Sequence, residues 1–574
     1  MRLLLFFIVF IFRESTMSQG PSVVGTETDK SVGVRIRTEY GTVEGFVHQT
    51  AEENVTGNVF LGVPFAAPPV GDLRFEKPVP PEKWDTVIPT KDFRNSCVPY
   101  VKSWIQNPTF SEDCLYLNIM TPHEPSEDPR GYPVLAYIHG GGYCFGDVVK
   151  FGYDKATRNF VSRGIVVVTI PYRVGIYGFF TTGTKEDGGN LGFWDQLMAL
   201  KFIKNNIKEF GGDPDNITLW GQSAGAGSVA ALALSPHSRD LFHKIYQSSG
   251  SIFNSWGIGS PVINSTLNLA KALGCESKDP AEIKAFMKKA KWEDILEISS
   301  TKFKTELNVD KGDENSIKFG PRLDEDFFDG KTLEELLDEA PPKPTLMGLM
   351  SQEGGPFVLM GLAEEKIKNF STKNIEEYVE KFLCPRTQAK DEADSIKKDL
   401  LEFYSTPDKD PISLLKMNSD LASDVTFVQS VINETEMKTK KNWKIYFYIW
   451  DYIDEKYSKM FPIKGAFHVY ELLYLSDQKT FVSLEQNDEI KKITKMFSEM
   501  VSNFVKTGNP SSESIDFPAY DLEKRKILWF DLESEIREDP WKKRRLFWTE
   551  LIKKYDFDLL RGMNQEQIKK RISW

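Results

Sequence analysis

Ser223 lies in the short run GQSAG, in which small residues surround a single hydroxyl group. A strand-like run, 217–220, precedes it, and an alanine-rich helical run, 224–234, follows it. A sharp turn from strand to helix strains the backbone of its central residue, and small neighbours make that strain tolerable. The pattern G-x-S-x-G is therefore typical of a nucleophilic serine exposed at a strand end. A glycine-rich turn with a surface serine is the alternative, because so short a pattern also occurs by chance.

A serine hydroxyl is a weak nucleophile and needs backbone or side-chain donors for the oxyanion that its attack creates. Three consecutive glycines, 140–142, follow His139 directly after the strand-like run VLAYI. Their N–H groups can turn toward a ligand, and the N–H of Ala224 would complete a convergent set of donors. A surface loop or a phosphate-binding turn is the alternative, but neither a P-loop nor a dinucleotide-binding motif is present here.

A nucleophilic serine also needs a histidine base and an acid that orients it. Of the six histidines, His468 comes late in the chain, in GAFHVYEL beyond a strand-like run. Glu353, in SQEGG, directly follows the strand-like run 345–350 and lies between Ser223 and His468 in the sequence. This order, serine then acid then histidine, is that of one large class of hydrolases. A lone histidine is more often structural, so chain order is what singles these residues out.

The elements around these residues alternate between strand-like and helical patterns. Two apolar runs, 134–138 and 165–170, are typical of strands buried on both faces of a parallel sheet. Residues 193–209 are predicted to form a crossover helix, and residues 261–340 and 361–440 to form helical insertions. Further strands are predicted at 217–220, 245–247, 345–350 and 445–450. The sequence therefore predicts an α/β fold with a mostly parallel central sheet, helices on both faces and large helical insertions. Sites in such folds lie at the carboxyl ends of the strands.

Composition and charge indicate which kinds of partner and cofactor the protein is expected to bind. The chain has 574 residues, a formal net charge of -11 and an acidic isoelectric point, which argue against nucleic acid as a partner. Neither an H-E-x-x-H motif nor a Cys/His cluster is present, so no metal and no cofactor are expected. Cys97 and Cys114, two of five cysteines, are near enough in sequence to close a loop.

The N-terminal residues suggest targeting. Ten apolar residues, 3–12, follow Arg2, and we interpret residues 1–20 as a signal peptide. The protein is then expected outside the cell or in an endomembrane lumen, with N-x-S/T sequons available for glycosylation, or in the cytoplasm if Met17 is the start. No transmembrane anchor is expected, and residues 556–574 are expected to form a basic C-terminal tail.

The sequence resembles the type-B carboxylesterase and cholinesterase family of α/β-hydrolases over residues 34–555. The resemblance covers nearly the whole chain and rests on many separate runs. These runs are GVPFAAPPVGDLRF (62–75), SEDCLYLNI (111–119), HGGGY (139–143), GGNLGFWDQ (188–196), NNIKEFGGDPDNITLWGQSAGAGSV (205–229), QEGGPF (352–357) and GAFHVYEL (465–472).

The resemblance implies a serine hydrolase that cleaves small-molecule carboxylic esters through an acyl-enzyme. Carried over by motif, it makes Ser223 the nucleophile, His468 the general base and Glu353 the acid. The other implied roles are an oxyanion hole at Gly141, Gly142 and Ala224, support of the acid by Ser251, an ion pair between Arg74 and Glu112, and a disulfide between Cys97 and Cys114. The oligomeric state does not follow from the resemblance.

Some positions depart from the family pattern. Gln222 stands where cholinesterases and many carboxylesterases carry glutamate, so we expect neutral, apolar esters to be preferred over acetylcholine. Trp104 has the spacing from Cys114 of a choline-stacking tryptophan, but its neighbours differ, which favours plain packing. A catalytically silent binding or adhesion protein, as the neuroligins are, is the alternative function. The complete set of Ser223, Glu353 and His468 favours the enzyme.

Overall fold

The computed structural model describes most of the chain after the N-terminal segment. The described residues are 30, 32–51, 54–102, 107, 109–258, 261–301, 319–360, 362–383, 390–478, 484, 486–558, 560–561 and 563–564. The predicted signal peptide, Trp104 and most of the predicted C-terminal tail lie outside them.

A large sheet forms the centre of the fold. Its strands are β1 (Gly33–Arg37), β2 (Thr42–Gln49), β3 (Thr56–Pro64), β4 (Ile88–Pro89), β7 (Tyr116–Pro122), β8 (Tyr132–Ile138), β9 (Val166–Ile170), β10 (Gly212–Gln222), β11 (Lys244–Ser248), β12 (Thr345–Met350), β13 (Ile445–Trp450), β14 (Lys526–Phe530) and β15 (Glu535–Glu538). Two short ladders lie apart from it and pair β5 (Ser96–Cys97) with β6 (Phe110–Ser111) and β16 (Phe557–Asp558) with β17 (Met563–Asn564).

The strand order is β1-β2-β3-β7-β9-β8-β10-β11-β12-β13-β14-β15, with β4 beside β2. The seven strands from β9 to β14 run parallel to one another, and antiparallel strands continue the sheet on both sides. The parallel centre confirms the predicted fold class. It also brings the carboxyl ends of β8, β10, β11, β12 and β13 to one edge of the sheet, because parallel strands end on the same side.

The core lies on both faces of this sheet. In β8, Val134, Ala136 and Ile138 pack into one hydrophobic cluster, whereas Leu135 and Tyr137 pack into the other. Successive strand residues point to opposite faces, so a strand covered on both sides must be apolar throughout. The continuous run VLAYI has this property, which is why sequence pattern identifies it.

Helices cover both faces and form the insertions. They are α1 (Asp154–Asn159), α2 (Gly175–Phe179), α3 (Leu191–Asn206), α4 (Ala224–Leu234), α5 (Val262–Ala272), α6 (Pro280–Lys289), α7 (Trp292–Thr301), α8 (Leu333–Glu339), α9 (Gly355–Leu359), α10 (Glu364–Lys368), α11 (Thr372–Phe382), α12 (Lys390–Phe403), α13 (Pro411–Ser423), α14 (Gln429–Lys440), α15 (Glu455–Met460), α16 (Leu472–Leu475), α17 (Asp488–Thr507) and α18 (Lys542–Tyr555). Short 3₁₀ turns occupy Gly71–Leu73 and Val161–Arg163, and a π turn, Asp424–Val428, joins α13 to α14. Helices α5 to α8 and α10 to α14 lie within the two predicted insertions.

Covalent and ionic links secure the region before β7. Cys97 and Cys114 form a disulfide, and Arg74 donates from Nε to Glu112 at 2.6 Å in a buried ion pair, as the resemblance implies. The thiol of Cys275 is free and buried. Within the described ranges, no helix has the length and apolar character that crossing a bilayer requires.

Candidate active site

Ser223 occupies a strained turn between β10 and α4. Its φ of 59° and ψ of -123° lie in a region that residues with side chains rarely adopt. The turn is also very tight: a Cβ atom on Gly221 would lie 2.1 Å from the Gly225 carbonyl oxygen, and one on Gly225 would lie 2.1 Å from the Ile138 oxygen. Only glycine fits at these two positions. The small residues around Ser223 are therefore required by the close approach of the backbone.

The glycine loop after β8 lies directly against Ser223. A Cβ atom on Gly140 would be 2.8 Å from the Ser223 Cβ atom. Gly141 and Gly142 have φ values of 111° and 60°, and in the described part of the chain no acceptor takes either N–H. Ala224 begins α4, so its N–H has no partner within the helix. Three donors without an acceptor among the described residues therefore lie on the glycine loop and the first turn of α4, the two segments that adjoin Ser223.

Glu353 and His468 form a buried hydrogen-bonded pair. His468 Nδ1 lies 2.6 Å from Glu353 Oε2, and the Met350 N–H donates to Glu353 Oε1 at 2.8 Å. The Glu353 side chain is fully buried, and His468 is 7% exposed. With Glu353 ionised, the carboxylate can only accept, so Nδ1 carries the proton and Nε2 keeps its lone pair.

The loops that carry these two side chains are held together by the backbone. The Gln352 N–H donates to the Ala466 carbonyl at 2.9 Å, and the Ala466 N–H donates to the Ser351 hydroxyl at 3.0 Å. Val469, directly after His468, has a φ of 69°, which is unfavourable for a β-branched residue. Strain of this kind persists only where the surrounding contacts over-determine the backbone, as they do beside His468.

Gln222 contacts the free nitrogen of the same imidazole. The buried side-chain nitrogen of Gln222 lies 3.5 Å from His468 Nε2. The Nε2 edge of the imidazole therefore points at the turn that carries Ser223. The described residues show no hydrogen bond between the Ser223 hydroxyl and His468. Bonds between catalytic groups often tighten only when substrate is present, so the arrangement is compatible with proton transfer from Ser223.

Aromatic and apolar side chains surround the imidazole. The Phe427 ring stacks on His468 with a centroid distance of 4.3 Å and an interplanar angle of 28°. The ring centroid of Phe357 lies 5.8 Å from that of His468, and Phe357 is 43% exposed. The approach to His468 therefore presents apolar surface to solvent, which suits an apolar ligand.

Ser251 is buried, and its hydroxyl accepts the Phe253 N–H at 3.0 Å. No hydrogen bond joins it to Glu353 among the described residues, and its support of the acid stays a prediction.

Sequence reasoning missed Glu471, whose buried carboxylate accepts a hydrogen bond from the Ser248 hydroxyl at the end of β11. Burial raises the pKa of Glu471 to about 7, and the nearby charge of Glu353 acts in the same direction. Burial thus favours the neutral form of this carboxyl group, which limits the negative charge beside Glu353. The signal in the sequence that could have identified Glu471 is its position three residues after His468.

Comparison with known proteins agrees with this architecture. The model of the Carboxylesterase family matches residues 33–548. Gut esterase 1 of Caenorhabditis elegans is 34% identical, with 93% of this chain and 95% of that protein covered. Carboxylesterase 1D of Rattus norvegicus is 29% identical over 95% of this chain and 96% of its own length. Acetylcholinesterase of Bungarus fasciatus is 30% identical over 86% of this chain and 81% of its own length. The chain belongs to the carboxylesterase family of α/β-hydrolases and is a carboxylic ester hydrolase.

Proposed function

We propose that Ser223, His468 and Glu353 form the catalytic triad, and that the enzyme hydrolyses neutral, apolar esters through an acyl-enzyme. The observation that carries the proposal is the buried bond between His468 Nδ1 and Glu353 Oε2, at 2.6 Å, beside the strained turn of Ser223. A histidine with one nitrogen tied to a carboxylate has its other nitrogen available as a base.

Acylation begins when His468 Nε2 takes the proton of the Ser223 hydroxyl. The Ser223 oxygen then bonds to the ester carbonyl carbon, and the carbonyl electrons move onto oxygen. When the tetrahedral intermediate collapses, His468 returns the proton to the leaving alcohol and the acyl group stays on Ser223. Water repeats the sequence, with His468 as base, and releases the acid. Glu353 holds the imidazole in orientation and stabilises its charged form.

The N–H groups of Gly141, Gly142 and Ala224 supply the oxyanion hole. The two loop N–H groups have no acceptor among the described residues, and the third begins a helix, whose N-terminal end favours negative charge. Donors that are already oriented stabilise charge without reorganisation during the reaction. Each is worth roughly 10²–10³ in rate.

The preference for neutral, apolar esters is supported by the groups near His468. Phe357 exposes apolar surface, and Gln222 beside the imidazole carries no charge. A site of this composition gains binding energy from apolar area, and it lacks a carboxylate at Gln222 for a cationic alcohol group.

A fluorophosphonate probe is expected to label the protein at Ser223 only. The probe phosphonylates an activated serine, and no labelling is expected in Ser223→Ala. Mass mapping of the modified peptide identifies the site. The matched control is Ser238→Ala, which removes a buried hydroxyl that donates to the Leu232 carbonyl and has no role in the mechanism. Labelling of another residue, or labelling that persists in Ser223→Ala, would contradict the assignment of the nucleophile.

We further propose that the chain enters the secretory pathway, with residues 1–20 as signal peptide and residues 34–555 as the catalytic domain. The apolar run 3–12 and the disulfide support this, because disulfides persist in oxidising compartments.

Protein from its native compartment is expected to contain the Cys97–Cys114 bond, worth about 3 kcal/mol on a chain-entropy estimate. Non-reducing peptide mapping measures it, and two free thiols would argue against secretion.

A further inference from the structure

One continuous helical segment contacts both the loop of Glu353 and the ring of His468. It consists of α13, the π turn Asp424–Val428 and α14, and most of it is buried. A π turn interrupts the regular hydrogen bonds of a helix, and such turns occur frequently at functional sites. The contacts of the segment indicate what this turn does.

Helix α13 holds the backbone on both sides of Glu353. The Ser419 hydroxyl donates to the Gln352 side-chain oxygen at 2.8 Å, on one side of Glu353. On the other side, the Gly354 N–H donates to the Ser423 hydroxyl at 2.7 Å. These bonds fix the direction in which the Glu353 carboxylate leaves the loop.

The π turn holds the histidine. It carries Phe427, which is buried and stacks on His468 at 4.3 Å. The neighbouring Thr426 carbonyl accepts a hydrogen bond from Trp256 Nε1 at 2.8 Å, which ties the turn to the residues after β11. A ring lying on the face of the imidazole opposes rotation out of the plane of the bond to Glu353.

The turn itself is anchored by an ion pair between a buried carboxylate and a partly buried guanidinium group. Arg544 of α18 binds Asp424 through two bonds of 2.6 Å, from Nε to Oδ2 and from Nη2 to Oδ1. Gln429 Nε2 donates to Asp424 Oδ1 at 2.8 Å, and the Tyr404 hydroxyl donates to Oδ2. Asp424 is fully buried, so loss of Arg544 would leave its charge without its cationic partner. The π turn is therefore held in one geometry by a residue near the C-terminal end of the domain.

We propose that Arg544 is a positioning residue for ester hydrolysis: through Asp424 it fixes the π turn, and through Phe427 the turn holds His468 against Glu353. This inference rests on the proposed roles of His468 and Glu353. It assigns to α18, a helix that contributes no group to the reaction, a role in orienting the base.

The test compares Arg544→Gln with Arg545→Gln. Arg545 is its neighbour on α18 and pairs with Asp539 and Glu436 instead of Asp424. For p-nitrophenyl esters of rising acyl length, Arg544→Gln is expected to lower kcat roughly 10–100-fold with little change in KM, because small displacements of a catalytic group cost this much. The fold-reduction in kcat should be the same for every acyl length. Arg545→Gln should keep the wild-type kcat, and Arg544→Lys should recover part of the loss because lysine keeps the charge but not the two-bond geometry.

A purely structural role predicts a different result: Arg544→Gln would lower the Tm while the folded enzyme kept its kcat, and that would overturn the proposal. If Arg544→Gln does not fold, Phe427→Leu decides, because it removes the stacked ring and leaves the ion pair intact. A uniform loss of kcat in Phe427→Leu supports positioning. An unchanged kcat, or a loss that varies with acyl length, overturns it. Failure of the proposed triad would appear separately, as wild-type protein that the fluorophosphonate probe does not label at Ser223.

Discussion

Replacing His468 by alanine is expected to lower kcat about 10⁶-fold, the loss that follows removal of the histidine from a serine triad. The substitution removes the group that is proposed to accept the Ser223 proton and to return a proton to the leaving alcohol. What remains is the roughly 10³–10⁴-fold catalysis over water that the oxyanion donors and substrate binding provide. The measurement is kcat for a p-nitrophenyl ester, with folding checked by thermal unfolding.

His237→Ala is the matched control, because this histidine is exposed and its ring bonds to the Asp326 carbonyl and packs against Trp194 and Phe327, residues outside the proposed site. It should keep the wild-type kcat. His139→Ala is expected to reduce activity as well, since its ring packs on Tyr172 at the base of the glycine loop. A folded His468→Ala enzyme with kcat close to wild type would mean that another group is the base.

The parts of the fold that sequence predicts well are those whose burial leaves a continuous apolar pattern. The predicted bounds of β12 and β13, 345–350 and 445–450, match the structure. In contrast, β10 begins at Gly212, well before the predicted residue 217. The intervening residues are rich in aspartate, proline and asparagine, which favour turns. They join the strand because Gly212 pairs with Tyr132 across an irregularity in register, a tertiary contact that local pattern does not contain.

Some residues of the candidate site could likewise be predicted from the sequence, and others could not. Chain order was enough to select Glu353 and His468, and the structure has them in direct contact. The surroundings of the pair were not accessible from sequence. Phe427 lies in a helical insertion whose apolar residues follow the ordinary pattern of a packed helix, and the π turn that aims its ring at His468 depends on Arg544 more than a hundred residues later. Contacts set by distant partners leave no local signal.

Acetylcholine is expected to be a poorer substrate than an uncharged ester of equal acyl length, because Gln222 stands where cholinesterases carry glutamate. The Gln222 side chain is buried at the base of the site, 3.5 Å from His468 Nε2. A carboxylate there would attract a quaternary ammonium group by about 4 kcal/mol at 4 Å and an effective dielectric near 20. The amide lacks this attraction. Stacking of the cation on an aromatic ring such as that of Phe357 would contribute only about 0.5–2 kcal/mol to binding.

The measurement is kcat/KM for acetylthiocholine against an uncharged thioester of the same acyl length, in the wild type and in Gln222→Glu. The wild type should prefer the neutral substrate, and Gln222→Glu should shift the ratio toward the charged one by up to roughly 10²–10³. Gln222→Met, which is neutral and similar in size, should leave the ratio unchanged. A wild-type preference for acetylthiocholine would show that another residue supplies the negative charge, and the proposed substrate class would be wrong. The ratio is the decisive quantity, because a carboxylate beside His468 Nε2 also changes the basicity of the imidazole. That change affects both substrates alike, so it cancels when the two substrates are compared.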